Sequence, residues 1–240
     1  MIISFKDFVE DSSLYEYSDN SNDSSSSTIT GTNASDSFDY SGDYSTSYTI
    51  SGYSGDDILI GGGMGDIIFG GLGSDTLTGS YGADQFYYTD NSEGTDTITD
   101  FDYMSDSIVY SGSISSSYTR SSMLIDSGNN GSTYDISTDT SGDLAYLFNF
   151  TANTSNYATA SNVASHLSGF KVTTDGANAI STSETYFITI GDGTDSSLYL
   201  WEDTGNGLVA ASELNELATL TALDNDFLTG TELSLATLSI

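Results

Sequence analysis

The strongest constraint on the fold is a nine-residue repeat between Gly52 and Tyr87. Broken after every ninth residue, this stretch reads GYSGDDILI, GGGMGDIIF, GGLGSDTLT and GSYGADQFY, which are four rows in phase. Each row has glycine first, aspartate sixth and an apolar residue eighth: Gly52, Gly61, Gly70 and Gly79; Asp57, Asp66, Asp75 and Asp84; Leu59, Ile68, Leu77 and Phe86. A repeat this short cannot bury an apolar face alone, so it must stack on copies of itself.

The residue types within one row predict a turn followed by a very short strand. Six residues rich in glycine form the turn, because glycine accepts the positive φ that other residues avoid. The last three residues form a strand whose central side chain points to one side and whose neighbours point to the other. Two rows therefore make one coil with a sheet on each side, so that Leu59 stacks on Leu77 and Ile68 stacks on Phe86.

The flanking residues of these strands predict an outward face. In the first two rows they are apolar, whereas in the last two they are mostly polar: Ile58, Ile60, Ile67 and Phe69, against Thr76, Thr78, Gln85 and Tyr87. Exposed apolar residues on one coil need a cover. Either the N-terminal or C-terminal part of the chain folds back over them, or they form a contact between subunits.

Stacked turns bring acidic side chains together. Asp57 would lie beside Asp75, and Asp66 beside Asp84, at the strand spacing of about 4.7–4.9 Å. Like charges this close repel each other unless a cation lies between them. The available ligands are carboxylate and carbonyl oxygens, since the chain has no Cys and a single His. Such hard oxygen ligands favour calcium over zinc or copper.

These rows resemble the calcium-binding repeats of RTX (repeats-in-toxin, hemolysin-type) proteins, whose pattern is G-G-x-G-x-D-x-U-x. The resemblance implies a parallel β-roll in which the sixth-position aspartates of turns one coil apart hold calcium together with backbone carbonyls. It implies one calcium between Asp57 and Asp75 and another between Asp66 and Asp84. The implied carbonyl donors are turn residues of the four rows: Gly52, Ser54, Gly61, Gly63, Gly70, Leu72, Gly73 and Gly82.

Only the third row matches the family pattern in full. Tyr53 and Ser80 replace the second glycine of their rows, and Met64 stands where the fourth-position glycine belongs. The resemblance is therefore weakest at the turn around Met64. The alternative interpretation, a disordered linker rich in glycine and aspartate, does not explain why apolar residues stay in phase through four rows.

The charge of the chain restricts its partners. The formal net charge is -32, with 35 acidic residues against Lys6, Arg120 and Lys171. Nucleic acid and anionic membranes are poor partners, because both need a basic patch. No apolar run is long enough for membrane insertion. Self-repulsion should destabilise the metal-free compact state, so bound calcium is expected to contribute to folding.

Secretion is expected without a Sec signal peptide. The start, MIISFKDFVEDSS, lacks the apolar core and cleavage site of such a peptide. The absence of Cys does not argue for the cytoplasm, because extracellular proteins can use metal ions in place of disulfides. The RTX resemblance implies type I secretion directed by an uncleaved C-terminal segment, and TELSLATLSI is compatible with that role.

Three parts of the chain are predicted. Residues 1–28 form an N-terminal segment with an apolar patch and a polar linker. Residues 29–110 form the calcium-binding β-roll and its closing strands. A further row begins at Gly31, 21 residues before Gly52, so residues 40–51 contain a bulge or a degenerate row ending near Ile50. Residues 29–51 are expected to start the roll with poor or no calcium binding.

The roll is expected to close with longer strands near Gln85–Tyr88, Asp96–Phe101 and Ser107–Tyr110. Four aspartates accompany them: Asp96, Asp100, Asp102 and Asp106. They either bind another calcium or are solvated loop carboxylates, and the second interpretation is favoured.

Residues 111–240 are predicted to form a small α+β region that includes the C-terminal segment compatible with secretion. Alternating patterns predict a strand at Leu144–Phe150 and a hairpin from Thr185–Ile190 to Leu198–Trp201. Helical spacing predicts helices at Thr159–Phe170 and Ala210–Leu220.

Residues 202–213 align with a twelve-residue EF-hand loop. Glu202, Thr204 and Asn206 supply oxygen donors at positions 1, 3 and 5, Gly207 stands at position 6 and Glu213 at position 12. The loop either binds calcium or is a simple turn in which Ser212 caps the next helix.

No catalytic constellation is apparent, so the chain is not expected to be an enzyme. The single histidine, His166, lies in a predicted helix, and no nucleophile elbow, zinc motif or phosphate loop occurs. The sequence therefore predicts a mainly β protein, with a short parallel β-roll followed by an α+β region. We expect a secreted, calcium-binding structural protein that self-assembles into a surface layer or filament. The alternative is a calcium-dependent adhesin or a glycan- or ice-binding module.

Overall fold

The computed structural model describes residues 25–102, 104–112, 121–124, 133–135, 146–151, 159–173, 184–191, 195–222 and 238–239. It is mainly β and contains a parallel β-solenoid of about four turns. The predicted N-terminal apolar patch lies outside the described residues, as does most of the TELSLATLSI segment. None of the helices in the described ranges has the length and apolar character needed to cross a membrane.

Nine strands alternate between the two sheets of the solenoid. They are β1 (Ser25–Thr30), β2 (Ser37–Asp39), β3 (Thr46–Ser54), β4 (Ile58–Ile60), β5 (Ile67–Leu72), β6 (Thr76–Thr78), β7 (Gln85–Tyr88), β8 (Asp96–Phe101) and β9 (Ser107–Tyr110). The odd-numbered strands form one parallel sheet, which we call the first sheet, and the even-numbered strands lie in the second sheet. The three predicted closing strands have the bounds of β7, β8 and β9.

The register of the strands is the one that the repeat requires. Leu59 lies opposite Leu77 in the second sheet, and Ile68 lies opposite Phe86 in the first. All four side chains are at most 1% exposed, so the stacked rows form a continuous apolar core between the sheets. The prediction of one coil for every two rows is confirmed.

The N-terminal turns of the solenoid extend further than the polar linker suggested. β1 begins at Ser25 and pairs in parallel with β3, so the end of the predicted linker is a strand. Hydroxyl side chains suit this position, because one face of β1 is exposed while Ile29 packs against the core. Ile50 lies opposite Ile68, which confirms that a degenerate row ends there.

The C-terminal part adds one helix and further strands: β10 (Ser121–Leu124), β11 (Thr133–Asp135), β12 (Tyr146–Thr151), α1 (Ala160–His166), β13 (Lys171–Thr173), β14 (Glu184–Gly191), β15 (Asp195–Asp203), β16 (Leu214–Ala222) and β17 (Leu238–Ser239). The predicted hairpin is present as antiparallel β14 and β15. The predicted helix begins after Thr159, whose side chain accepts a hydrogen bond from the N–H of Asn162.

The second sheet continues from the solenoid into this C-terminal part. β16 pairs in parallel with β8 and antiparallel with β15, so that nine strands form one sheet in the order β10-β12-β14-β15-β16-β8-β6-β4-β2. Leu198, Leu200 and Leu220 belong to the same core as Leu77. The opposite face of the hairpin packs against α1 in a second core. β17 extends the first sheet beside β9, and β11 and β13 form a separate pair.

The prediction of a helix at Ala210–Leu220 is wrong. Residues Ala211–Glu213 form one 3₁₀ turn, and β16 follows at once. The register opposite β15 shifts between Ala218 and Glu216, so a bulge lies at Leu217. This bulge turns the strand, which sends Leu214 to the core with α1 and Leu220 to the core of the solenoid. The three-residue spacing of the leucines thus imitates a helix.

The stacked core should control stability, and β6 offers a matched pair of sites. Leu77→Ala removes a side chain that is 1% exposed and should lower the free energy of unfolding by about 2–5 kcal/mol. Thr76→Ala, on the outward face of the same strand, should change it by less than about 1 kcal/mol. Urea unfolding in saturating calcium measures both. Equal losses for the two variants would contradict the assignment of the core.

Candidate metal sites

The coils place aspartates in two stacks, one at each edge of the solenoid. The first stack contains Asp36, Asp57 and Asp75, each just before a strand of the second sheet, and Asp96, the first residue of β8. The second stack contains Asp66, Asp84 and Asp106, which precede strands of the first sheet. The structure therefore brings Asp57 next to Asp75 and Asp66 next to Asp84, as the repeat requires.

A ladder of hydrogen bonds joins the aspartates of each stack. The N–H of Asp36 donates to Oδ1 of Asp57 at 2.7 Å, and the N–H of Asp57 donates to Oδ1 of Asp75 at 2.8 Å. The N–H of Asp75 continues to Oδ1 of Asp96 at 3.0 Å. In the second stack the same bond runs from Asp66 to Asp84 at 2.7 Å and from Asp84 to Asp106 at 3.0 Å. One oxygen of each acceptor carboxylate is thus committed to the backbone one coil away.

The other carboxylate oxygen is unpartnered in three of these aspartates. Asp57, Asp75 and Asp84 are at most 2% exposed, yet their Oδ2 atoms have no hydrogen-bond partner in the described part of the chain. An unsatisfied buried polar group costs about 1–3 kcal/mol, and a charged one costs more. A bound cation is the partner that would remove this cost.

Two of the unpartnered oxygens lie close against glycines, where a side chain would collide with them. A Cβ placed on Gly52 would lie 2.0 Å from Oδ2 of Asp57 and 2.6 Å from the carbonyl oxygen of Gly70. A Cβ placed on Gly70 would lie 2.4 Å from Oδ2 of Asp75 and 3.1 Å from Oδ2 of Asp96. Hard oxygen atoms from neighbouring coils therefore converge beside these two glycines, and this donor set fits calcium.

Two of the other implied carbonyl donors already accept a hydrogen bond from the protein. The carbonyl of Leu72 accepts a hydrogen bond from the N–H of Gly55 at 2.8 Å. The carbonyl of Gly61 accepts one from the hydroxyl of Ser80 at 3.1 Å. Each carbonyl oxygen has a second lone pair, so these bonds occupy half of its accepting capacity. Of the implied donors, Gly70 is the one whose carbonyl lies beside an unpartnered carboxylate oxygen.

The turns of the first, third and fourth rows share one backbone conformation at the second position. φ is +74° at Tyr53, +97° at Gly71 and +72° at Ser80. Such values are uncommon outside glycine, and strain of this kind clusters at functional sites. The replacement of the second glycine by Tyr53 and Ser80 thus leaves the geometry of the turn unchanged.

The turn of the second row differs from these three. The N–H of Gly62 donates to Oδ2 of Asp66 at 2.6 Å, so both oxygens of this carboxylate accept hydrogen bonds from the backbone. The turn that begins at Gly31 is closed in the same way, by a 2.6 Å bond from the N–H of Thr32 to Oδ2 of Asp36. Neither aspartate has a free oxygen aimed into its own turn.

The interpretation of the closing aspartates as solvated loop carboxylates is wrong for three of them. Asp96, Asp100 and Asp106 are at most 8% exposed, whereas Asp102 is only partly buried. Asp96 and Asp106 continue the two ladders. The 18-residue spacing does not predict this role, because they follow their partners by 21 and 22 residues. An apolar residue two positions after each aspartate is the signal that could have found them.

Asp100 binds backbone amides of a turn and does not extend either ladder. Its Oδ1 accepts the N–H of Gly79 at 2.9 Å, and its Oδ2 accepts the N–H of Ser80 at 2.8 Å. A single carboxylate therefore holds two successive backbone amides of the fourth-row turn. This contact stabilises the positive φ of Ser80 from outside the repeat.

Burial raises the pKa of the ladder carboxyls. It raises the pKa of Asp57 to about 6, of Asp96 to about 7 and of Asp84 to about 8. In each case the backbone N–H on the carboxylate lowers the pKa, whereas the charges of neighbouring carboxylates raise it further. The metal-free ladder therefore resists full ionisation near neutral pH.

The ends of the EF-hand-like loop do not converge. Oε2 of Glu202 accepts hydrogen bonds from the side chains of Asn91 and Asn215, at 2.9 and 3.0 Å. Glu213 is buried and accepts the N–H and the hydroxyl of Thr204. These two carboxylates are thus engaged in different directions.

The middle of this loop is also closed by its own hydrogen bonds. Oδ1 of Asn206 accepts the N–H of Leu208 at 2.7 Å, and the carboxylate of Asp203 accepts the N–H of Gly207. The geometry favours a simple turn, although no helix follows and Ser212 is not its cap. Calcium binding at this loop stays a prediction.

Neither the arrangement of metal-ligating side chains nor comparison with known proteins identifies a function. Across the described ranges, no group of three or more His, Cys, Asp or Glu side chains is placed to hold a metal ion. No family model, curated protein or solved structure matches the chain.

The raised pKa values predict an unusual pH dependence in metal-free buffer. Asp57, Asp84 and Asp96 have a higher pKa in the folded state than the value of about 3.9 for an unfolded chain. Their contribution to stability is therefore fully present below pH 4 and is lost as the pH rises through about 6–8. The melting temperature should fall between pH 5 and pH 8.

Circular dichroism melts in metal-treated buffers measure this dependence, and Asp84→Asn should flatten its upper part. Saturating calcium should abolish the fall, because the ion favours the ionised carboxylates. A metal-free protein that gains stability between pH 5 and pH 8 would contradict the assignment.

Proposed function

We propose that this protein is a secreted calcium-binding structural protein of the cell surface or extracellular matrix, whose β-roll folds on binding calcium. The observation that carries the proposal is the set of three buried, unpartnered Oδ2 atoms at Asp57, Asp75 and Asp84. Two of them lie close to an oxygen atom of the neighbouring coil. The resemblance of the rows to RTX repeats supports the same conclusion.

Calcium fits these sites better than other common metals. The donors are carboxylate and carbonyl oxygens, and the chain contains no Cys. Calcium accepts six to eight oxygen ligands in flexible arrangements, so two carboxylates can be completed by turn carbonyls. When bound, the ion neutralises the ladder charges. Asp57, Asp75 and Asp96 would hold calcium at one edge of the solenoid, together with the carbonyl of Gly70. Asp84 would hold it at the other edge.

A structural role suits the carboxylates better than catalysis. Each ladder aspartate has one oxygen bound to a backbone N–H one coil away, which fixes its orientation and links it to the fold. Proton transfer would require a positioned partner group, and the single histidine lies in α1 rather than in the solenoid. We therefore propose that the protein is not an enzyme.

The first test of this function is calcium-coupled folding. For dissociation constants of about 10⁻⁴–10⁻³ M, roughly 10 mM calcium should add about 1.4–2.7 kcal/mol per site to the free energy of unfolding. Asp75→Asn should remove at least one such increment, because Oδ2 of Asp75 lies beside both Gly70 and Asp96. Urea unfolding with and without calcium measures the difference.

The matched control is Asp90→Asn, which changes an exposed aspartate that accepts only the N–H and hydroxyl of Ser92. It should keep the full response to calcium. If the parent protein has the same stability with calcium as with a chelator, the proposed function fails.

Self-assembly would use the outward apolar residues. Ile58 is 47% exposed on the second sheet, and Ile67 and Phe69 are partly exposed on the first. Phe69 stacks on Tyr87 of the next coil, with 4.7 Å between ring centroids. Ile67, Phe69 and Tyr87 thus form an apolar strip on the outside of the first sheet. A second copy would cover this strip, and a contact that does not close on itself would propagate into a filament or layer. Calcium would permit the contact by lowering the repulsion between acidic copies.

The double variant Ile67→Ser, Phe69→Ser tests this contact. Calcium affinity should stay within about twofold, because Ile68 still fills the core between them. Assembly, followed by electron microscopy and light scattering in calcium, should be lost. Thr76→Ser with Thr78→Ser, on the other sheet, is the control and should assemble like the parent. Normal assembly of the Ile67, Phe69 variant would show that another surface makes the contact.

A glycan- or ice-binding module is the second candidate. Thr76 lies opposite Thr97 on the outward face of the second sheet, and the hydroxyls of Thr78 and Thr99 lie 2.8 Å apart. Threonines at every second position of adjacent strands form a regular array of hydroxyl and methyl groups. Electron microscopy in calcium separates the candidates, since ordered assemblies support the first and monomers support the second.

A further inference from the structure

The turn at residues 61–66 is held by protein groups where the other turns of the repeat leave oxygens unpartnered. The N–H of Gly62 donates to Oδ2 of Asp66 at 2.6 Å, and the carbonyl of Gly62 accepts the N–H of Tyr81 at 3.2 Å. The N–H of Gly63 donates to the carbonyl of Asp43 at 2.7 Å. This turn is thus bonded to the coils on both sides of it.

The side chain at the fourth position accounts for this difference. We call the turns of the first, third and fourth rows open, because their aspartates keep an unpartnered Oδ2. In these turns the fourth position is glycine, with φ of +117° at Gly55, +141° at Gly73 and +137° at Gly82. The second row has Met64 there, and Met64 is not among the described residues with positive φ. A methionine in that conformation would be strained.

The open conformation also brings the fourth position against the preceding coil. A Cβ on Gly73 would lie 2.1 Å from the carbonyl oxygen of Gly55, and a Cβ on Gly82 would lie 2.6 Å from the backbone of Met64. A side chain at this position therefore meets backbone atoms that cannot move aside. Met64 consequently forces its turn into the closed form, in which Gly62 donates its N–H to the carboxylate.

A neighbouring aromatic ring lies over the closed turn. A Cβ on Gly63 would lie 2.3 Å from Cδ1 of Tyr44, so the ring rests directly on this glycine. The ring of Tyr81 follows at 6.1 Å from that of Tyr44. The two rings lie on the outside of the second stack, next to the backbone groups that the closed turn uses.

We infer that the turn at residues 61–66 takes no calcium of its own and that Met64 is the residue that excludes the ion. This inference rests on the proposed calcium binding by the open turns. It differs from the site that the repeat implied between Asp66 and Asp84, because of these two residues only Asp84 keeps an unpartnered oxygen. Asp66 instead has a structural role, because its carboxylate accepts hydrogen bonds from the N–H of Tyr48 and the N–H of Gly62.

Native mass spectrometry of the full chain in calcium acetate tests the inference by counting bound ions. Asp84→Asn should bind at least one ion fewer than the parent. Asp66→Asn, the same substitution one coil away in the same stack, should bind as many ions as the parent. If Asp66→Asn loses an ion as Asp84→Asn does, the inference is overturned.

Met64→Gly tests the inference in the opposite direction and does not alter a carboxylate. With glycine at the second and fourth positions the turn can open, so this variant should bind one ion more than the parent. Met64→Ala is the control and should leave the count unchanged, because it keeps a Cβ at the fourth position, where Ala34 stands in the closed turn that begins at Gly31. An unchanged count in Met64→Gly would overturn the role of Met64.

The outcomes also separate this inference from the proposed function. A parent protein that binds no calcium contradicts the proposed function itself. A parent that binds calcium and loses it equally through Asp66→Asn and Asp84→Asn contradicts only the exclusion of the ion from the second-row turn.

Discussion

The hydrogen bond from the N–H of one aspartate to Oδ1 of the aspartate one coil on is the interaction on which the solenoid depends. It repeats along both edges, between Asp57 and Asp75 on one side and between Asp66 and Asp84 on the other. A charge-assisted bond of this kind contributes about 1.5–3 kcal/mol, but only if the rest of the buried carboxylate is also satisfied. Whether Oδ2 has a partner therefore decides whether each of these hydrogen bonds stabilises the fold. Backbone amides satisfy Oδ2 at Asp66. At Asp57 and Asp75 this oxygen has no hydrogen-bond partner in the described part of the chain, and the proposed calcium would satisfy it.

The ladder also explains how the solenoid tolerates irregular spacing. Partners one coil apart are separated by 18 residues in the regular rows and by 21 or 22 residues where the roll closes. The additional residues lie outside the rungs, so the amide and carboxylate still meet. β16 then pairs with β8 and β17 with β9, which covers this end of both sheets. Covered edges present no free strand to another chain.

The acidic composition and the apolar outer strip act in opposite directions. A net charge of -32 keeps copies apart, whereas the strip around Ile67 and Phe69 on the first sheet would draw them together. Ile58, on the second sheet, is also exposed. Cations that neutralise the ladder shift this balance without any change of contacts at the outer strip. The same ions would thus control both folding and association.

The sequence by itself determined the coil, because a nine-residue period fixes which side chains meet when rows stack. Leu59, Ile68 and the ladder aspartates of the four rows could be placed from spacing alone. Only the tertiary structure decided the state of each turn. The N–H of Gly62 bonds to Asp66, whereas the N–H of Ser80, at the same position of its row, bonds to Asp100. The tertiary structure also decided that β16 is a strand, because pairing with β8 across more than a hundred residues outweighs the helical spacing of its leucines. Hydrogen bonds to residues outside the nine-residue rows leave no periodic signal in the chain that forms them.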